Sequence, residues 1–217
     1  MVQERGHIKF SVKGVNHLSV YDLSHWQPVS RIKELAGNCE GVILKLGEPN
    51  DEYDDQLDPH FEEFLNEARK YNIPVGIYYM SRARDMHDFM REANFINDCV
   101  YNYFDGIEPE LGTWIDLERK EVMRDDIQPQ VLDIIGTMQS WWNNSNKIGI
   151  YGSSLNLFEQ YFDMDDLVYY DIPLWIAQYN GENYIMDNYP RNRVVLWQFT
   201  TNNNTQDENH YYGFGGD

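Results

Sequence analysis

Two acids stand two residues apart at the end of a short apolar run, Thr113-Trp114-Ile115-Asp116-Leu117-Glu118, just before the charged stretch Arg119-Lys120-Glu121. Such a run reads as a strand, and in a strand residues i and i+2 project to the same face. Asp116 and Glu118 then point together, while Ile115 and Leu117 pack on the other side. Neighbouring carboxyls repel, so at least one keeps its proton to unusually high pH. The pair supplies a proton donor beside a charged stabiliser, the equipment for acid-assisted bond cleavage. In a chain with 36 Asp and Glu, an Asp-x-Glu triplet also arises by chance. Placement strengthens the catalytic reading. The triplet closes an apolar strand in mid-chain, and a second strand-end acid precedes it, Asp22 in Val20-Tyr21-Asp22-Leu23-Ser24-His25-Trp26.

The elements that must position these acids alternate along the chain. Strands are expected at His17–Asp22, Gly41–Leu46, Ile73–Tyr79, Thr113–Leu117, Lys147–Tyr151, Pro173–Gln178 and Arg193–Phe199. Helices are expected at Val29–Ala36, Phe61–Tyr71, Met86–Tyr103, Pro129–Trp142 and Leu155–Tyr161, with little helix between the last strands. Continuous apolar strands alternating with helices predict a covered parallel sheet. The expected fold is α/β, an irregular TIM-like βα barrel whose late strands lack full helices. In such barrels the site lies at the carboxyl ends of the strands. Asp22, Glu48, Tyr79, Asp116, Glu118, Tyr151, Gln178 and Gln198 all fall at or just past such ends. Residues 1–14 read as an extension and 15–217 as one domain, and the polar run Thr201–Asn209 reads as a loop.

Composition narrows the chemistry. At 217 residues one sizeable core is the default. The net charge of -19 repels polyanions, which argues against nucleic acid as a partner; attraction to an anionic cell wall would have to come from elsewhere. Sixteen Tyr and six Trp exceed what a core needs, and surplus rings suit a sugar-binding groove. Cys39 and Cys99 read as buried thiols rather than a disulfide framework. The six His lack metal-ligand spacing, and Asp51–Asp55 and Asp163–Asp166 read as solvated loops, so neither metal nor cofactor is expected. Gly152-Ser153-Ser154 lacks a full nucleophile elbow and reads as a helix cap. Neither an apolar signal core nor a membrane-length run is visible, so action outside a cell implies release by lysis, carriage on a phage particle, or a leader outside this sequence.

As a set, these stretches resemble the family 25 glycoside hydrolases, the Chalaropsis-type lysozymes common as phage endolysins. Tyr21-Asp22-Leu23-Ser24-His25-Trp26-Gln27 resembles the family's opening motif, and Val42–Glu48 its second strand with a Lys and a Glu. Asp58, Phe61, Ala68 and Ile73–Tyr78 resemble the following helix and third strand, and Trp114–Glu118 resembles the Asp-x-Glu strand. Ile150-Tyr151, Leu174–Tyr179 and Leu196–Phe199 resemble the last strands. The chain departs from the pattern in three places. Tyr79 replaces a frequent His, Gly47-Glu48-Pro49 replaces Thr-Glu-Gly, and the late Gly-x-Asp-x-Asn motif only begins, at Gly216-Asp217, where the sequence stops, as in a domain trimmed from a longer protein.

The resemblance implies a muramidase that cuts the β-1,4 bond between N-acetylmuramic acid and N-acetylglucosamine in peptidoglycan. Glu118 is then the general acid, with its pKa raised by Asp116 and Asp22. Asp116 stays ionised and stabilises positive charge, or orients a reacting acetamido group, and Asp22 holds a water or that group. Glu48, Tyr78, Tyr79, Tyr151, Trp175, Gln178, Trp197 and Gln198 are the substrate-binding candidates, though the rings could equally be core. The expected partner is peptidoglycan glycan, met as a monomer or as part of a larger multidomain or virion protein, with no membrane partner. Two alternatives stand beside it: a non-catalytic cell-wall glycan-binding module on the same barrel, against which the intact Asp22, Asp116 and Glu118 argue, and an amidase or endopeptidase acting on the stem peptide, disfavoured because the sequence shows no zinc set or Cys–His pair.

Overall fold

A computed structural model describes residues 19–202 and 206–215. The expected extension at 1–14, residues 17 and 18 of the first expected strand, and Asp217 lie outside the described residues. Among the described residues nine strands form one sheet: β1 (Val20–Leu23), β2 (Gly41–Pro49), β3 (Asp55–Leu57), β4 (Val75–Met80), β5 (Thr113–Asp116), β6 (Ile148–Ser153), β7 (Leu174–Ala177), β8 (Val194–Asn202) and β9 (Gln206–Tyr211). Eight of them close a barrel in the order β1-β9-β8-β7-β6-β5-β4-β2, shut by the parallel β1–β2 pair, while β3 hangs on β2.

The barrel is mixed. β9 runs antiparallel to both β8 and β1. The expected polar loop at 201–209 is therefore corrected: its two described ends are strand, and only 203–205 fall outside description. Alternating side chains serve a two-faced strand even when the interior face is polar.

Helices α1 (Arg31–Leu35), α2 (Phe61–Lys70), α3 (Met86–Phe104) and α4 (Ile127–Trp141) cover the early strands. A π-helical turn at Ser154–Phe158 leads into the one-turn α5 (Glu159–Tyr161), and α6 (Met164–Tyr169) and α7 (Tyr184–Asn188) are short. The Asp163–Asp166 segment, expected as a loop, starts α6: the Asp163 side chain accepts from the Asp165 and Asp166 amides as its cap. The Ser153 side chain caps the π-turn by accepting from Asn156.

Two apolar layers result. Outside the barrel, Leu44, Ile77, Ile115, Ile150 and Ile176 pack against Phe61, Phe64, Phe89 and Ile135 of the helices. Inside, Val20, Ile43, Trp114, Trp175 and Leu196 fill the lower barrel. Two indoles fit because Gly149 stands beside them: a Cβ there would lie 2.6 Å from the Trp114 ring and 2.4 Å from the Pro173 carbonyl. Each buried indole removes on the order of 200 Å² from water, about 5 kcal/mol before entropy costs. This apolar floor pushes the next residue inward on each strand up to the barrel mouth.

Candidate active site

One step above the apolar floor, the inward positions become polar. Asp22, Lys45, Tyr78, Asp116, Tyr151, Gln198 and Asn209 occupy them, on β1, β2, β4, β5, β6, β8 and β9. The parity follows from the floor. If Val20, Ile43, Trp114 and Trp175 face in, residues two positions later face in as well.

Asp116 is buried, and its Oδ1 accepts the Glu118 backbone N–H at 3.0 Å. This turn lifts Glu118 past the strand end, where its side chain is exposed. Burial pushes the Asp116 carboxyl well above the usual carboxylate range, and the charge of Glu118 pushes it further; Lys45 and Arg119 oppose the rise. Glu118 is also raised. Crowding by the cavity walls is the main cause, Arg119 and Lys45 pull it back, and Glu48 adds repulsion. The expected cause is thus corrected: the walls and Glu48 raise Glu118, while the repulsion within the pair falls on Asp116. A pair this close exchanges protons as a unit.

Asp22 is the third acid of the mouth and, like Asp116, is buried. Its Oδ2 accepts from Gln198 Nε2 at 3.0 Å and Asn209 Nδ2 at 2.8 Å. Burial raises its pKa, and the two amides oppose that rise. Glu48 differs from all three. Burial works to raise it, but Lys45 Nζ at 3.1 Å and Arg119 Nη2 at 2.8 Å outweigh that and hold its carboxyl below the usual range.

Two open cavities flank the acids. One, of about 620 Å³, is lined by Glu118, Tyr151, Ser153, Gln178 and Tyr179. The other, of about 540 Å³, is lined by His25, Lys45, Glu48, Gln56, Arg82 and Arg119. Adjacent residues 118 and 119 belong to opposite cavities, so the end of β5 forms the saddle between them.

Not every expected binding residue reaches this groove. Tyr78 is half-buried and faces inward, its ring edge-on to Trp175 at 6.0 Å. Tyr79, one residue on, turns outward: it is 1% exposed, packs on Phe95 and donates to Asp55 at 2.5 Å. Trp197 also faces outward, beside Phe199 and His210, and donates its Nε1–H to the Gln178 carbonyl. Trp175 faces in but is 1% exposed, beneath Tyr151 at 4.4 Å. Gln178 lines the larger cavity while its side chain binds Asn180 and the Tyr184 amide, bracing the loop after β7. Gln198 lies buried under Tyr151 and Tyr179, which both donate to its Oε1. Cys99 is buried and Cys39 half-buried, both as free thiols.

The sequence reading missed four residues. Trp26 is 81% exposed, its ring 4.6 Å from that of the cavity residue His25. Tyr179 is 51% exposed on the wall of the other cavity. Both followed strand ends, which was the available signal. Asp207 and Asn209 lie on β9, where Asp207 stands across from Asp22. Their alternation with Tyr211 was the only mark of a strand in a polar run.

For a metal, the candidate group among the described residues is Asp85, His87 and Asp88 at the start of α3. Asp85 caps that helix and Asp88 pairs with Arg84 at 2.7 Å, so those carboxyls already have work. No helix of the described residues is long and apolar enough to cross a membrane.

Known proteins share this architecture. The bacterial lysozyme of Streptomyces coelicolor superposes with a TM-score of 0.70 at 16% identity, over 92% of this chain and 94% of that one. The catalytic domain of endolysin ply40 from bacteriophage P40 of Listeria monocytogenes gives 0.68 at 19% identity, over 90% and 94%. The modular autolysin LytC of Streptococcus pneumoniae gives 0.70 at 18% identity, over 92% of this chain but 48% of that one. At such identities the likeness is one of fold. No curated protein sequence matches this chain closely enough to count as a relative. The sequence profile of glycosyl hydrolases family 25, however, matches residues 21–208, a span that holds Asp22, Asp116 and Glu118. The chain belongs to glycosyl hydrolase family 25 and is a glycoside hydrolase.

Proposed function

We propose that this protein is a peptidoglycan hydrolase of the muramidase type, cutting β-1,4 bonds between N-acetylmuramic acid and N-acetylglucosamine. The observation that carries the reading is the saddle between the cavities, where exposed Glu118 stands above buried Asp116 with Asp22 inside the same mouth. A glycan strand laid across the saddle brings one glycosidic oxygen to Glu118. Glu118 is the general acid because its carboxyl reaches the cavity, keeps a raised pKa, and has water on one side to reprotonate it. Protonation of the bridging oxygen lets the bond to the anomeric carbon break as positive charge grows there, and a water then bonds to that carbon in place of the leaving sugar and returns a proton to Glu118.

Asp116 faces that charge from below. Its ordinary state in the free protein leans toward protonation, because burial and Glu118 both press on it. Proton loss from Glu118 during cleavage would add to that pressure, so Asp116 serves best as a hydrogen-bonding partner that orients the 2-acetamido group. Asp22, whose two bound amides oppose the effect of burial, is a better-stabilised negative charge than Asp116. Glu48, already paired with Lys45 and Arg119, braces the saddle rather than transferring protons.

Mass spectrometry of digested peptidoglycan tests this. New reducing-end muramic acid is expected. Free stem peptide with intact glycan would assign an amidase, and no product with retained wall binding would assign a binding module. Wall-lytic action as part of a larger or virion-borne protein fits the same reading.

A further inference from the structure

Five side chains form two arms of hydrogen bonds that converge on Asp22, and the direction of one arm is set at its far end. Trp175 Nε1–H donates to Asn209 Oδ1 at 2.6 Å. An indole N–H can only donate, so the oxygen of Asn209 must face Trp175. The amide nitrogen of Asn209 then faces two acceptors, the Val20 carbonyl at 3.2 Å and Asp22 Oδ2 at 2.8 Å. A backbone carbonyl can only accept, so the opposite flip is excluded twice. On the other side, Tyr151 and Tyr179 present hydroxyls to Gln198 Oε1 at 2.9 and 2.6 Å, and Gln198 Nε2 faces the same Asp22 oxygen at 3.0 Å.

We propose that Trp175, Tyr151 and Tyr179 are positioning residues that turn the amides of Asn209 and Gln198 toward Asp22 and so hold it as an oriented carboxylate for the reaction. This rests on the muramidase reading for what the carboxylate does, but not for its existence. Two N–H donors converge on one oxygen, and that oxygen cannot carry a proton while both bonds persist. Trp175, which the sequence offers as sugar floor, works instead from beneath, 1% exposed. Tyr179 lines the larger cavity, so a sugar resting on its ring would press on the Gln198 arm from outside.

Other titratable groups share the mouth with Asp22. Tyr78 comes from β4, Glu118 from just past β5, Tyr151 from β6 and Asp207 from β9, with Tyr179 above, while Lys45 of β2 and Asp116 of β5 occupy inward positions of the same ring. The carboxylates among them oppose a charge on Asp22, which is why a dedicated set of donors matters there.

The test reads Asp22 directly and needs no substrate. Carbon-13 carboxyl resonances of Asp are followed with pH, Asp22 being assigned by its loss in Asp22→Asn. In Trp175→Phe and Asn209→Leu the Asp22 midpoint should rise by at least about one pH unit, a tenfold change. Tyr179→Phe, which removes one surface hydroxyl and spares the core, should raise it by less. Kinetics on purified peptidoglycan should show kcat falling, KM nearly unchanged, and activity recovering as pH rises. An unmoved Asp22 midpoint in Asn209→Leu overturns the proposal; should the core variants fail to fold, an unmoved midpoint in Tyr179→Phe does the same. A raised KM with an unmoved pH limb would return these residues to sugar binding and also overturns it. If the wild-type protein cuts no glycan, the muramidase reading fails alone, because the titration still reports on Asp22.

Discussion

Replacing Glu118 by Gln isolates one transferable proton. Gln keeps the size of the side chain, and the bond from the residue 118 backbone N–H to Asp116 is untouched. The side chain is exposed, so folding stability should change by no more than about 0.5 kcal/mol. No neighbour is placed to replace the proton. Asp22 is engaged by two amides, Asp116 lies below the mouth, and Glu48 is held ionised by Lys45 and Arg119. General acid catalysis is worth roughly 10²–10⁴-fold. Turnover should therefore fall by at least about 10²-fold, a barrier increase of about 3 kcal/mol or more. Binding should survive, because Tyr179 and Trp26 are unchanged. The loss of the Glu118 charge should also lower the pKa of Asp116, whose second source of upward pressure is that charge. The assay is release of reducing ends from purified peptidoglycan across pH, with circular dichroism to check the fold and pull-down on walls to check binding. A folded Glu118→Gln protein with turnover within tenfold of wild type would refute the assignment and move the acid to Asp116, Asp22 or Glu48.

Asp116→Asn should also cost about 10²-fold or more in turnover, read in the same assay, because Asn cannot hold or release the proton that couples Asp116 to Glu118 and with which it orients the acetamido group. Glu92 lies 2% exposed beside β4, where burial pushes its carboxyl up to about 7 against the pull of Ser81 and the Arg82 amide. A raised folded-state pKa means that the native state binds the extra proton, so stability should decline from about pH 4.5 to 7 by about 3 kcal/mol and then level off. Glu92→Gln should flatten that decline in denaturant midpoints measured at pH 5 and 8. Gly149→Ala should destabilise by about 1–3 kcal/mol in the same measurement, since its Cβ meets the Trp114 ring at 2.6 Å. Chelators should leave activity intact; loss in EDTA restored by zinc or calcium would show that a metal takes part. With a charge of -19, binding to anionic walls should strengthen as salt rises from low values, and the reverse would reveal a basic contact surface.

Much of the fold was legible because apolar continuity is local. The runs Gly41–Leu46, Ile73–Tyr79 and Lys147–Tyr151 announced strands, and Phe61, Phe64, Leu65 and Ala68 announced a helix face, all as observed. Asp22, Asp116 and Glu118 were legible for the same reason, as polar residues closing apolar strands. Which of two adjacent tyrosines faces the barrel was not. In a strand apolar on both faces the alternation carries no label for inside. Only closure of the ring, with Trp114 and Trp175 filling the floor, sent Tyr78 inward and Tyr79 toward α3. β9 stayed hidden because its inward residues are polar, and their partners lie near 190 residues away in sequence. The residue types of the acids are thus a property of the chain. Their charge states belong to the tertiary structure, because burial, Lys45, Arg119 and the amides of Gln198 and Asn209 act across distances that exist only once the barrel has closed.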